Sequence, residues 1–169
     1  MKRTKKLSEG DQVQELIDGL QDATIGVPPL LQWTIIFLAG ALPFVESYFG
    51  TVLGLVAGLP FVVALGAAVL GNFISMFLLV SFGHNIYSWW SKKRTKPSPR
   101  HEKFMRRFDQ YGVAGVSLLG QAILPSQITS MLMVTAGASK QKVILWQSIS
   151  IVLWGIAFGA LASAGLRLI

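Results

Sequence analysis

Phe37-Leu-Ala-Gly-Ala-Leu-Pro-Phe-Val-Glu-Ser-Tyr-Phe-Gly50 places a proline and an acid inside an apolar run. From Leu30 to Gly83, Glu46 is the only Asp, Glu, Lys, Arg or His. A carboxylate in hydrocarbon is costly unless it is protonated, paired or wetted, so an intramembrane acid is a functional candidate by default. Pro43 breaks the helical run three residues earlier, and Ser47 follows the acid. A broken helix beside a lone acid is the pattern of an ion or substrate site in a membrane transporter.

The rest of the chain fits that class. Its 169 residues are 52% hydrophobic and 14% charged, with a positive mean hydropathy, which predicts an all-α integral membrane protein. Leu30–Leu59 is apolar but broken at Pro43 and closed by Pro60. Phe61–Phe82 follows as 22 apolar or small residues, enough for about 33 Å of helix. The pattern then repeats: Val113–Ala138 is broken at Pro125, and Val143–Leu166 is uninterrupted. Pro43 lies 18 residues before Phe61, and Pro125 lies 18 residues before Val143, an offset of 82 between the halves. Each repeat therefore reads as a broken segment plus a full transmembrane helix. Paired Pro-interrupted segments point to a site at the repeat interface.

Four regions result: a tail and surface helix over 1–29, membrane repeat 1 over 30–83, a basic loop over 84–112, and membrane repeat 2 over 113–169. In the first, Val13, Leu16, Ile17 and Leu20 fall at helical spacing among polar residues, predicting an amphipathic helix from Asp11 to about Ala23. With no apolar core behind the basic N-terminus, no cleavable signal peptide is expected there. The third region is predicted to be an irregular loop with a short basic helix over His101–Tyr111.

Half-segments of 12–16 residues are about 18–24 Å long, short of a span, so each broken segment is expected to be a re-entrant hairpin and the repeats inverted. The central loop with Lys140 and Lys142 then carries 10 Lys or Arg against 5 on the other side. Fully crossing segments would give 13 against 2. Both schemes put the 84–112 loop in the cytoplasm and the protein in the cell membrane as a multi-pass chain.

The net charge of +7 comes largely from that loop. Lys92, Lys93, Arg94, Arg106 and Arg107 are expected to meet anionic lipid headgroups, and no nucleic-acid motif accompanies them. Gly50, Gly54 and Gly58 form a double GxxxG, and Gly155 and Gly159 another, for helix packing within the fold or for a homo-oligomer. With no cysteine, thiolate metal sites are excluded. His84 and His101 stand at a span end and in the charged loop, without metal spacing, a Ser-His-Asp set or a phosphate loop. No enzyme activity, catalytic residue, metal or cofactor is expected.

Around Pro125, Gln121, Ser126, Gln127, Thr129 and Ser130 crowd a segment that should be apolar. They either satisfy backbone groups freed by the proline or line a polar cavity facing Glu46.

Leu42-Pro43-Phe44-Val45-Glu46, Gly71-Asn72, Phe108-Asp-Gln-Tyr-Gly112 and Gly120-Gln-Ala-Ile-Leu-Pro125-Ser-Gln127 resemble the small multi-drug export protein family, which is similar to the DedA (VTT-domain) superfamily. The resemblance covers residues 30–166. It implies re-entrant hairpins in inverted repeats, roles in membrane homeostasis and, in DedA-like relatives, movement of lipid phosphates linked to the proton-motive force. It carries the hairpin acid onto Glu46 and adds Asn72 to the site. Gln121 and Gln127 stand where the DedA pattern has two arginines, removing the bidentate clamp such residues give a phosphate.

The expected function is that of a small secondary transporter, flippase or scramblase for a lipid or amphipathic small molecule. Glu46 would exchange the proton, Pro43 and Pro125 would open the helices, and Ser47, Asn72, Gln121, Ser126 and Gln127 would line the site. A proton-coupled exporter of cationic drugs is the first alternative. A non-transporting membrane-homeostasis or assembly factor, working through the N-terminus and the basic loop, is the second.

Overall fold

A computed structural model describes residue 19 and residues 27–91 and 99–166. The expected amphipathic helix of the N-terminal region and Lys92, Lys93 and Arg94 lie outside the described residues. Where they are described, six helices and no strand are found. They are α1 Pro29–Ala41, α2 Glu46–Val56, α3 Phe61–Ser91, α4 Pro99–Gly120, α5 Ser126–Thr135 and α6 Lys140–Leu166.

Proline sets the breaks. Pro29 opens α1, where a missing N–H costs nothing. Pro43 forces the residue before it out of helical space, and Leu42 is extended at ψ 131°. Pro125 stands directly before α5 with ψ 143°. Each short helix then ends the same way. After α2, Gly58 takes φ +88°, while Leu59 N–H donates to Gly54 O at 2.9 Å and Gly58 N–H to Leu55 O at 3.0 Å. After α5, Gly137 takes φ +96°, Ala138 N–H donates to Met133 O at 3.0 Å and Gly137 N–H to Val134 O at 3.1 Å. Both are Schellman caps, which need a left-handed residue that glycine alone adopts without strain. Gly58→Ala and Gly137→Ala should each cost about 1–2 kcal/mol, and the double substitution the sum, since the sites are independent. Denaturant melts of the detergent-solubilised protein read this directly. An unchanged midpoint in both single variants would show that the caps do not hold the turns.

The halves thus share the order helix, break, short helix, glycine turn, long helix. From glycine turn to glycine turn their offset is 79 residues, against 82 from proline to proline. The second break accounts for two of these three residues, because α5 starts one residue after its proline whereas α2 starts three after its own, and α5, with 10 residues against 11, accounts for the third. The second long helix consequently begins at Lys140, one polar turn before the apolar run at Val143. Likewise α3 continues past Phe82 to Ser91, so helix occupies the start of what hydropathy marks as loop. In α4, helix covers the basic segment, and the helix axis breaks at Gly112, at φ +64°.

The first broken segment folds back on itself. A Cβ at Gly50 would lie 3.4 Å from Gly40 Cα, and one at Gly54 would lie 3.4 Å from Ile36 Cγ1. The second also turns back: a Cβ at Gly120 would lie 3.2 Å from Thr129 Cγ2. Gly50 and Gly54 face the Cβ atoms of Ala68 and Ala64 on α3 as well, and Gly58 supplies a cap. The double GxxxG therefore serves packing within one chain. Gly155 and Gly159 bring α6 against Ser47 and Thr51 of α2.

Two apolar clusters flank the centre. Ile36, Ala39, Leu53, Ala64 and Ala68 fill one side, and Met76, Val80, Val116, Met133 and Ile151 the other. Between them the interior is polar. The outward faces are apolar: Leu38, Val62, Phe82 and Leu161 are each more than 60% exposed. Two helices, α3 over Phe61–Phe82 and α6, are long and apolar enough to cross a membrane.

Candidate functional site: the meeting point of the two breaks

Glu46 and Ser126 hold equivalent places, each the first residue of the short helix behind its break. They meet directly. The Ser126 backbone N–H donates to Glu46 Oε1, and both residues are fully buried. This N–H is an unfilled donor at the start of α5, whose N-cap, Pro125, has no side chain to satisfy it. A carboxylate there also faces the positive end of the helix dipole. Glu46 is thus the N-terminal cap of a helix in the other half of the chain.

The local backbone is strained to allow this. Phe44 at φ +74° and Glu46 at φ +54° both take left-handed conformations that are uncommon outside glycine and cluster at functional sites. Glu46 N–H keeps a bond to Leu42 O at 3.1 Å, so the acid is held inward while Pro43 and Phe44 remain exposed.

Ser126 is the hub. Its Oγ donates to Asn72 Oδ1 at 2.9 Å, and Asn72 Oδ1 also accepts from Gln127 Nε2 at 3.3 Å. Gln127 Nε2 reaches Ser75 Oγ on α3 at 2.9 Å. Ser126 O accepts from Ser130 Oγ at 2.6 Å and from Gln147 Nε2 of α6 at 3.3 Å. Ser47 Oγ donates to Ile151 O at 2.7 Å, tying the start of α2 to α6. Four helices, α2, α3, α5 and α6, are therefore joined through one residue and its neighbours.

Of the residues expected at the site, the structure brings Glu46, Ser47, Asn72, Gln121, Ser126 and Gln127 together as buried groups. Pro43 lies exposed on the outer side of its break, and Pro125 is buried beside Ser126. The centre differs from the expected cavity wall in that Glu46 and Ser126 touch. Gln147 and Ser75 also belong to it. Gln147 carries the signal that singled out Glu46, being the only amide in the run Val143–Leu166.

Several polar atoms are unsatisfied. Glu46 Oε2, Asn72 Nδ2, Gln121 Nε2 and Gln147 Oε1 are buried without hydrogen-bond partners. Gln121 Oε1 accepts from Ser150 Oγ at 2.7 Å, and its carboxamide comes within electrostatic reach of Glu46. Such groups are rare and costly in a finished core, so this site is short of partners. Among the described residues no group of three or more His, Cys, Asp or Glu could hold a metal ion.

A cavity of about 280 Å³ is lined by Tyr48, Phe49, Gln121, Ala122, Trp154 and Phe158, with the buried Glu46 behind this lining rather than in it. The ring of Phe158 stands 5.3 Å from Tyr48, 5.7 Å from Trp154 and 6.1 Å from Phe49, centroid to centroid. Trp154 Nε1 is fixed to Leu118 O at 3.0 Å. Comparison with protein-family models, with curated proteins and with solved structures gives no match for this chain.

Proposed function

We propose that this is a multi-pass membrane protein of secondary-transporter type, moving a lipid or an amphipathic small molecule across the bilayer and exchanging a proton at Glu46. The observation that carries the reading is its inverted polarity. Among the described residues twelve polar side chains, Glu46 among them, are buried, while leucines, valines and phenylalanines cover the outside. Water would penalise such a surface, and hydrocarbon favours it. In that setting α3 and α6 cross the membrane. The helices α1, α2 and α5, with 13, 11 and 10 residues, reach only about 15–20 Å and re-enter as hairpins. The two halves would then be inverted repeats with their broken tips at mid-depth, where transporters built this way hold substrate and coupling ions.

Glu46 suits proton exchange because its two oxygens have different work. Oε1 caps α5, and Oε2 is buried with no hydrogen bond of its own, the oxygen on which a proton would sit. Gln121 and Gln127, standing where the DedA-like pattern has arginines, leave no fixed positive charge to hold a phosphate. A neutral or cationic amphiphile is the better match to a lone carboxylate.

The test is proton flux. In proteoliposomes enclosing a pH-sensitive dye, adding a transported amphiphile under an imposed pH gradient should move protons with the wild-type chain. With Glu46→Gln that flux should fall to the level of empty liposomes. Equal flux from both proteins would overturn the proton role.

A further inference from the structure

The cavity beside Glu46 is not accounted for by proton exchange alone. Its walls come from three places in the chain: Tyr48 and Phe49 on α2, Gln121 and Ala122 in the second break, and Trp154 and Phe158 on α6. Four aromatic residues therefore contribute to its lining, packed on one another with Phe158 5.3–6.1 Å from the other three, so a ligand meets the side of this cluster that faces the cavity. Aromatic faces carry partial negative charge and attract cations within about 6 Å. The single charge nearby has the same sign. Two lining residues, Tyr48 and Gln121, lie within electrostatic reach of the Glu46 carboxylate. Gln121 is 4% exposed, and its Nε2 lacks a partner. An apolar ligand would use the rings but gain nothing from the acid behind them. An anion would be repelled by both the rings and the acid.

Size narrows the ligand further. A space of about 280 Å³ is at the small end of ligand pockets, enough for a head group. Phe49 and Ala122 are exposed at its rim, so a hydrocarbon tail can leave directly into the bilayer.

We propose that the cavity formed by Tyr48, Phe49, Trp154 and Phe158 with Gln121 is a binding site for the quaternary ammonium head of an amphiphile, held by the aromatic faces and the field of Glu46. The assignment rests on the membrane reading above and names the substrate chemistry of that same site. The head group can come from a choline lipid of the bilayer or from a free alkyl-trimethylammonium compound.

Equilibrium binding tests it without requiring transport. The full chain is placed in nanodiscs of phosphatidylglycerol, which has no ammonium group, and titrated with radiolabelled decyltrimethylammonium. Empty nanodiscs serve as the blank for partitioning. Saturable binding is expected, with about tenfold loss for Glu46→Gln and for Trp154→Leu, and a smaller loss for Trp154→Phe, which keeps a ring face. An uncharged analogue, with carbon in place of the ammonium nitrogen, should fail to compete. Circular dichroism of each variant confirms that the helices remain. Competition by added phosphatidylcholine would identify the lipid head group as the source, and its failure to compete would identify the free amphiphile; both results support the site. Equal competition by the uncharged analogue, or undiminished binding by folded Glu46→Gln and Trp154→Leu, would overturn it. Binding that survives while wild-type proton flux is absent would remove the transport reading and leave this site standing. Proton flux with a different amphiphile, without ammonium binding, would do the reverse.

Discussion

Gly71→Ala should destabilise the protein by about 3 kcal/mol, the upper part of the range for overpacking a core. Gly66→Ala, five residues earlier on the same helix, should be neutral or stabilising by up to about 1 kcal/mol. A Cβ at Gly71 would run into Phe37 O, with Phe37 C at 2.9 Å and Ala41 N at 3.1 Å. All three are backbone atoms of α1, so no side-chain rotation relieves the clash. The contact is reciprocal: a Cβ at Gly40 would meet Ala68 O, with Ala68 Cα at 2.8 Å. The α1 and α3 backbones are in near contact at two points, and one methyl group must push them apart. That separation would loosen Ile36, Ala39, Ala64 and Ala68, which pack between them. At Gly66 nothing lies within 4 Å of the added Cβ, and only the helix-propensity gain remains. The measurement is thermal or denaturant unfolding in one detergent, followed by circular dichroism. If the two variants unfold alike, the close approach of α1 to α3 is not what holds the first half together.

Some of this was legible in the chain. Pro43 and Pro125 mark the breaks because proline excludes helix locally, and that holds in any environment. Glu46 was visible because it is the one charge in the 54 residues from Leu30 to Gly83. The small residues announced close packing, though not where it would be used. What periodicity could not show is which distant positions share a point in space. Gly40 and Ala68 look like unremarkable helix residues until α1 crosses α3. Tyr48 and Trp154 belong to one cavity only because Ser47 binds Ile151 O and Gly159 admits Thr51, which draws α2 onto α6. The repeat was readable in outline, but its register was set by turn chemistry. The turns at Gly58 and Gly137 give an offset three residues shorter than the prolines do, and the helix starts at Glu46 and Ser126 one that is two residues shorter. With the proline offset, Glu46 corresponds to Ile128; with helix starts aligned, it corresponds to Ser126, which is the residue it touches. The partner of the acid was hidden by counting from the wrong landmark. For a related reason α3 runs on past the apolar span Phe61–Phe82 and α6 starts three residues before Val143: hydropathy stops at the first polar turn, whereas the helix continues while its backbone bonds are satisfied.

Glu46→Ala should lower stability by about 2–3 kcal/mol, while Glu46→Gln should stay within about 1 kcal/mol of the wild type. The contrast follows from which atom does what. Oε1 accepts the buried Ser126 N–H, and glutamine supplies an oxygen in the same place. Alanine supplies none, and Pro125 cannot take over as a cap. The orphaned N–H then sits at a point where Ser126 also binds Asn72 and Gln147, so loss of the contact disturbs both halves. The strained φ of Glu46 cancels in the comparison, because alanine and glutamine both carry a Cβ and bear the same left-handed penalty. What glutamine does lose is the ability to take and release a proton at the second oxygen. Its amide donor also falls where Oε2 now lacks any partner. Matching unfolding curves for wild type and Glu46→Gln, with a lower midpoint for Glu46→Ala, would separate the acid's role as a helix cap from its role as a titrating group. If the two variants unfold together, the Ser126 contact contributes little to stability. Without such a match, a flux lost in Glu46→Gln could mean only a misassembled centre; with it, the lost flux is assigned to the proton.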